Sequence, residues 1–164
     1  MCNVWNVRSI KRSNNEQWQI LLLKRMSKKE RRIIMILFGH PLIPSERFYH
    51  INSIEAISNT PSNSVIALFF EEQNLDIISH LHLNNIRFAL YVTSNVEAVL
   101  AENLHATYLI VNTKNGSEIQ KIAEHYLFDA KVLGYCEEEE NLENLIDMRL
   151  DGAIFAEAII KITS

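Results

Sequence analysis

From Val65 onward, short unbroken apolar runs alternate with amphipathic stretches, and this pattern constrains the fold more than any other feature of the chain. VIALFF (65–70) precedes a helical stretch at about 73–84. FALYV (88–92) precedes another at about 95–104, and TYLIV (107–111) precedes Ser117–Leu127, where Ile119, Ile122, Ala123 and Tyr126 share a helical face. KVLGYC (131–136) then leads into a helix at about 141–148, and GAIFA (152–156) ends the series. Strands that are apolar at every position must be covered on both faces, which is the mark of a parallel sheet with crossover helices, and such crossovers are right-handed. The expected fold class is therefore α/β, with an open, doubly wound, five-stranded parallel sheet of Rossmann or flavodoxin type. A complete eight-stranded barrel is expected not to fit within 164 residues.

Upstream the pattern changes. Residues 1–13 have no period and read as a loose N-terminus. Residues 14–43 read as a basic helical arm. Asn14 or Asn15 caps a first helix holding Trp18, Ile20, Leu21 and Leu22; a capping box, Ser27 to Glu30, opens a second, which Gly39 and Pro41 stop. Residues 44–63 read as a linker, with a short extended piece at 47–51 and the turn-rich S-N-T-P-S-N-S at its end, leaving 64–164 as the α/β domain. The net charge of −4 conceals a split: residues 1–47 hold ten Lys/Arg against three acids, and the remainder six against seventeen. Trp18, Leu22, Arg31, Arg32, Ile33 and Leu37 are the candidate contacts of this arm, which is expected to mediate homo-oligomerisation or to dock a protein partner. The stretch RRIIMILF is too apolar after its first turn for a DNA recognition helix, which argues against nucleic acid as the partner.

In an open parallel sheet, ligands bind beyond the carboxyl ends of the strands. That geometry selects the candidate ligand-binding residues Glu71, Glu72, Thr93, Ser94, Asn112, Thr113, Asn115, Gly116, Cys136, Glu137 and Glu157. The first of these junctions, F-E-E-Q, carries no glycine and two carboxylates. A phosphate would meet repulsion where it ordinarily finds free N–H groups, so Glu71 and Glu72 are expected to cap their own helix, as are Glu137 to Glu140, and NAD is not expected as a cofactor. If the rim held a metal, oxygen ligands of this kind would suit Mg²⁺ or Ca²⁺; the reading of helix caps and solvated faces requires no cofactor. Cys136 reads as a buried apolar residue. His80 and His82, two apart on a helix, do not share a face, and no H-x-x-x-H pair, P-loop or G-x-S-x-G is present in the sequence. Two cysteines, Cys2 and Cys136, give no disulfide framework. Nothing in the opening residues reads as a secretory leader, and the apolar run Ile33–Phe38 is far short of the roughly 20 residues of a membrane span. A cytoplasmic location without a membrane span is expected.

Residues 106–157 resemble the second half of the RCK (KTN) domain through the small residue before TYLIV, K-V-L-x-x-x-x-E-E-E-N-x-x-x-L and L-D-G-A-I-F-x-E. Those Rossmann-like domains regulate potassium channels and transporters, so the resemblance implies a regulatory role linked to ion transport. The family's G-x-G-x-x-G stands here as F-F-E-E-Q-N, and its acidic ribose contact as Thr93 or Ser94, which implies a degenerate nucleotide-binding loop. The rim is also similar to that of response-regulator receivers: Glu71 with Glu72, Asn112, Cys136 and Glu157 end strands in the same order. Asn112 stands in place of the phosphorylated aspartate and Glu157 in place of the lysine, implying a non-phosphorylated version. DGAIFAEAIIK looks like the last strand of phosphate-binding barrels, with Ala156 and Glu157 where glycine and serine stand. The expectation is a non-enzymatic regulatory or protein-interaction domain. A divalent-metal enzyme using the acidic rim, or a basic arm binding nucleic acid or a membrane surface, are the competing classes.

Overall fold

The computed structural model describes residues 34–162, within a compact unit that begins at Ile34. The helices expected before residue 34, and the arm residues Trp18, Leu22, Arg31, Arg32 and Ile33, lie outside the described residues. Eight strands run β1 (Ile36–Phe38), β2 (Phe48–His50), β3 (Val65–Phe69), β4 (Phe88–Tyr91), β5 (Tyr108–Val111), β6 (Lys131–Cys136), β7 (Gly152–Phe155) and β8 (Ile159–Lys161). Four helices, α1 (Leu75–Leu83), α2 (Asn95–Asn103), α3 (Gly116–Tyr126) and α4 (Leu142–Asp147), follow β3, β4, β5 and β6. No helix among the described residues is long and apolar enough to cross a membrane.

All seven strand pairings are parallel, in the order β1-β7-β6-β5-β4-β3-β2-β8. The α/β class and the parallel sheet are as the sequence leads one to expect, but the sheet has eight strands, not five, and it is not doubly wound. From β2 to β7 each strand lies beside its sequence neighbour, so the order never reverses and there is no switch point. The helices accordingly cover one face. One core cluster combines strand residues such as Ile66, Leu68, Leu90, Leu109 and Val132 with Ile77, Ile78, Leu81, Ala98, Ala101, Ile119, Ala123 and Leu145 from the four helices. The other holds strand residues and Ala158, with no helix behind it.

Curvature provides the cover for that second face. β7 and β8 stand six places apart in the order, which in a flat sheet is about 29 Å. Yet only Ala156–Ala158, one 3-10 turn, joins them, and four peptide steps reach at most about 14 Å. The sheet must curl into a half-barrel, and its concave side closes on itself: Phe38 of β1, Phe48 of β2 and Tyr108 of β5 meet with ring centroids 4.9, 5.5 and 5.4 Å apart. Val65, Ala67, Ala89, Ile110, Leu133 and Ile154 fill the rest. Gly39, at φ +82°, follows β1 where an added Cβ would come within 2.7 Å of the Ala158 backbone nitrogen, so it permits the close approach of β1 to the β7–β8 turn.

Two sequence expectations are corrected here. The capping-box helix expected to run to Gly39 is strand over Ile36–Phe38: Leu37 pairs with Ala153 and packs on the helix-side core, not on an arm. Residues 44–63, expected as a linker with a short extended piece at 47–51, are part of the sheet domain: that piece is β2, which pairs with both β3 and β8 and is followed by a 3-10 turn (Glu55–Asn59). In each case local helix or turn signals lose to an apolar run that completes the sheet.

Each helix ends in the same way. Asn85, His105, Leu127 and Arg149 take positive φ just before the next strand. After the first three, the following amide bonds back to the helix: Ile86 to Leu81, Ala106 to Ala101 and Phe128 to Ala123, at 2.9, 3.1 and 2.9 Å. This is the Schellman arrangement, with its apolar contact between the same pair. Leu127 adopts the left-handed conformation at φ 55° with its side chain 84% exposed. Leu127→Gly should therefore raise stability by about 1 kcal/mol, since the strain is relieved and little burial is lost. Phe48, fully buried at the closing contact, should behave oppositely: Phe48→Ala is expected to cost about 3–5 kcal/mol. Urea unfolding of both variants checks these signs.

Candidate functional site

The two ends of the concave face differ. At the N-terminal ends of the strands a polar network occupies it: Arg87 forks onto Glu46 at 2.7 and 3.1 Å and also donates to the Asn63 carbonyl, while the Tyr108 hydroxyl donates to Glu46 at 3.3 Å. Hydrogen bonding to Glu46 pushes the Arg87 guanidinium further up, and burial raises the Tyr108 phenol. At the C-terminal ends the side chains that alternate onto the concave side are aromatic. His50 ends β2, Phe69 ends β3, Tyr91 ends β4 and Tyr135 lies near the end of β6. Tyr91 and Tyr135 pack on the concave core. Phe69 stacks on Tyr91 at 4.7 Å and 25°, and the His50 ring meets Phe69 edge-on at 5.4 Å. On the other side His40, after β1, lies 3.6 Å from Glu139 and edge-on to Phe155.

A cleft of about 290 Å³ opens here, lined by His50 and Asn52 after β2 and by Phe69, Glu71, Gln73 and Asn74 after β3. The volume lies at the lower end of the range for small-molecule sites. His50 Nδ1 is 3.0 Å from the Ala67 carbonyl; a carbonyl only accepts, so Nδ1 carries the proton and the neutral ring keeps Nε2 as an acceptor.

The residues selected from sequence all lie at these strand ends, and several are engaged in hydrogen bonds within their own loops. Ser94 caps α2, accepting from the Glu97 amide at 3.2 Å, and the Glu97 carboxylate accepts from the Thr93 amide at 2.7 Å and the Thr93 hydroxyl at 3.1 Å: a capping box whose second donor lies one residue before the cap. Asn112 accepts from the Lys114 and Asn115 amides, and Asn115 donates to the Thr93 carbonyl. Gly116 is buried at the start of α3, and Thr113 is exposed. The Cys136 thiol is buried, donates to the Glu138 carbonyl at 3.0 Å, and is pushed up by burial, which disfavours the thiolate. Glu72, Glu137 and Glu157 are exposed.

The expected acidic caps do not form as such. Glu71 and Glu138 occupy the cap positions of 3-10 turns without side-chain cap hydrogen bonds. Glu71 instead accepts from Gln73, and Asn74 donates to the Phe69 carbonyl at 2.9 Å. Sequence reasoning passed over Phe69, Tyr91 and Tyr135 because each sits in an apolar run that reads as core, and over His50 because it lies in the short extended piece of an expected linker. Period-two alternation through VIALF and FALY would have placed Phe69 and Tyr91 on one face, but not shown that this face opens to solvent.

No protein-family model matches the chain, and no curated protein matches it.

Burial, with Tyr135 beside it, pushes the Tyr91 phenol up to about 12. Below pH 10 the group is neutral whether folded or unfolded. Above it the unfolded chain loses its proton first, so stability falls as pH rises from about 10 to 12, by at most roughly 2 kcal/mol. Tyrosinate absorbance should show one group titrating near pH 12 that is missing in Tyr91→Phe, and this variant should lose less stability across that window.

Proposed function

We propose that this domain works by binding a small ligand in the concave mouth at the strand C-terminal ends, and that its role is regulatory, not catalytic. The observation that carries this reading is the division of labour at the rim. The polar side chains after β4 and β5 are engaged in holding their own loops, Ser94, Thr93 and Glu97 around α2 and Asn112 and Asn115 before α3, while at the cleft Phe69, backed by Tyr91, and His50 present ring faces. Groups fixed by several hydrogen bonds make poor general acids or nucleophiles, whereas a half-exposed aromatic ring supported from behind is a binding surface. Cys136, with its thiol buried and its pKa raised, supports the same reading. The resemblance of 106–157 to a regulatory domain agrees with it in role, and ion transport is the setting which that resemblance suggests.

A thermal-shift screen of the full chain in EDTA, against nucleotides, amino acids, amines and carboxylic acids, tests the proposal. A ligand present at a hundred times its Kd should stabilise the fold by about 2.7 kcal/mol, and Phe69→Ala should reduce the shift. In a parallel run without EDTA, stabilisation by Mg²⁺ or Ca²⁺ alone would contradict it and favour a metal-dependent activity at the acidic rim.

A further inference from the structure

We infer that the ligand of this mouth is a small organic cation, a primary ammonium carried on an apolar or aromatic body; the inference rests on the binding role proposed above and specifies its chemistry. Four features of the cleft converge on that class. Phe69 is about half exposed and lines the cleft while Tyr91 supports its ring from behind, offering an aromatic face to an apolar body or to a cation. Glu71 supplies a carboxylate in the lining, and among the described residues no lysine or arginine lines it. His50, its Nδ1 proton committed to the Ala67 carbonyl, presents an acceptor and not a second N–H when neutral. The lining amides, Asn52, Gln73 and Asn74, can each donate and accept; Gln73 gives one N–H to Glu71 and Asn74 one to the Phe69 carbonyl. The lining therefore holds a carboxylate, an imidazole acceptor and a π-face and, among the described residues, no cationic side chain, which suits an ammonium and disfavours a phosphate or carboxylate.

The long-range field has the same sign. Residues 34–164 hold seven Lys/Arg against eighteen Asp/Glu, and Glu72, Glu137, Glu138, Glu139, Glu140 and Glu157 follow the C-terminal ends of the strands. The charge of residues 34–164 therefore favours a cation over an anion at this end.

Isothermal titration of the full chain with three probes that share one ring tests the assignment: 2-phenylethylamine, 2-phenylethanol and phenylacetate. The amine should bind at least about tenfold more tightly than the alcohol, and phenylacetate should not bind. Phe69→Ala should weaken the amine by about fivefold or more, within the range of an aromatic–cation contact. Glu71→Gln should bring the amine towards the alcohol's affinity, whereas Glu143→Gln, on α4 and outside the cleft, should leave it unchanged. Both Phe69 and Glu71 are exposed, and circular dichroism of the variants confirms that they fold. Alcohol or phenylacetate binding as tightly as the amine, in a manner lost with Phe69→Ala, would overturn the cation assignment and leave the binding mouth standing. Amine binding unaffected by either variant, or no binding of the amine at all, would overturn it too; the ligand screen with Phe69→Ala then judges the binding role separately.

Discussion

The short connection between β7 and β8 is the constraint on which the rest of this structure depends. Three residues must carry the chain from the second place in the sheet to the last, and no flat or gently twisted sheet allows it. Curling is then obligatory, and a curled sheet has a concave side that helices cannot reach. The side chains must fill that space themselves, which they do with the Phe38, Phe48 and Tyr108 rings and a set of small and branched residues between them. Gly39 belongs to the same solution, since its missing Cβ leaves room for the Ala158 backbone.

The mouth follows from the curl. Alternation along each strand sends every second side chain to the concave side, so the last such residue of adjacent strands forms a ring at the C-terminal end: His50, Phe69, Tyr91 and, further round, Tyr135. At the opposite end the Glu46, Arg87 and Tyr108 network occupies the corresponding layer. One end of the half-barrel is thus closed by paired polar groups, and the other presents aromatic faces. The loops around the open end are held by hydrogen bonds of their own, which makes the mouth a preformed surface and agrees with a binding role.

Much of the helix-covered half of the molecule was legible in the sequence. VIALFF, FALYV, TYLIV, KVLGYC and GAIFA are strands within a residue or two of the expected bounds, and the helices between them begin and end where amphipathic periodicity places them. Of the short strands only β2 was legible, as the extended piece at 47–51. β1, β2 and β8 are three residues each, too short for a period, and β1 lies in an apolar run that follows a capping box and precedes a glycine, so local signals point to a helix. Their strand character comes from partners distant in the chain, Ala153, Ile66 and Tyr49. The helix ends hid for a different reason: a left-handed turn usually announces itself by glycine, and here asparagine, histidine, leucine and arginine fill that position. Strand order was beyond reach because apolar runs of this kind serve a doubly wound sheet and a curled one equally well, and the closing DGAIFAEAIIK gave the one hint of a barrel.

The curl itself is most directly tested by aromatic nuclear Overhauser contacts in the full chain. Ring protons of Phe38 should show strong cross-peaks to those of both Phe48 and Tyr108, since the three rings meet with centroids at 4.9–5.5 Å. An open sheet in which β1 and β2 lie far apart would give none between Phe38 and Phe48. Their absence from an otherwise complete spectrum would contradict the half-barrel, and with it the concave mouth.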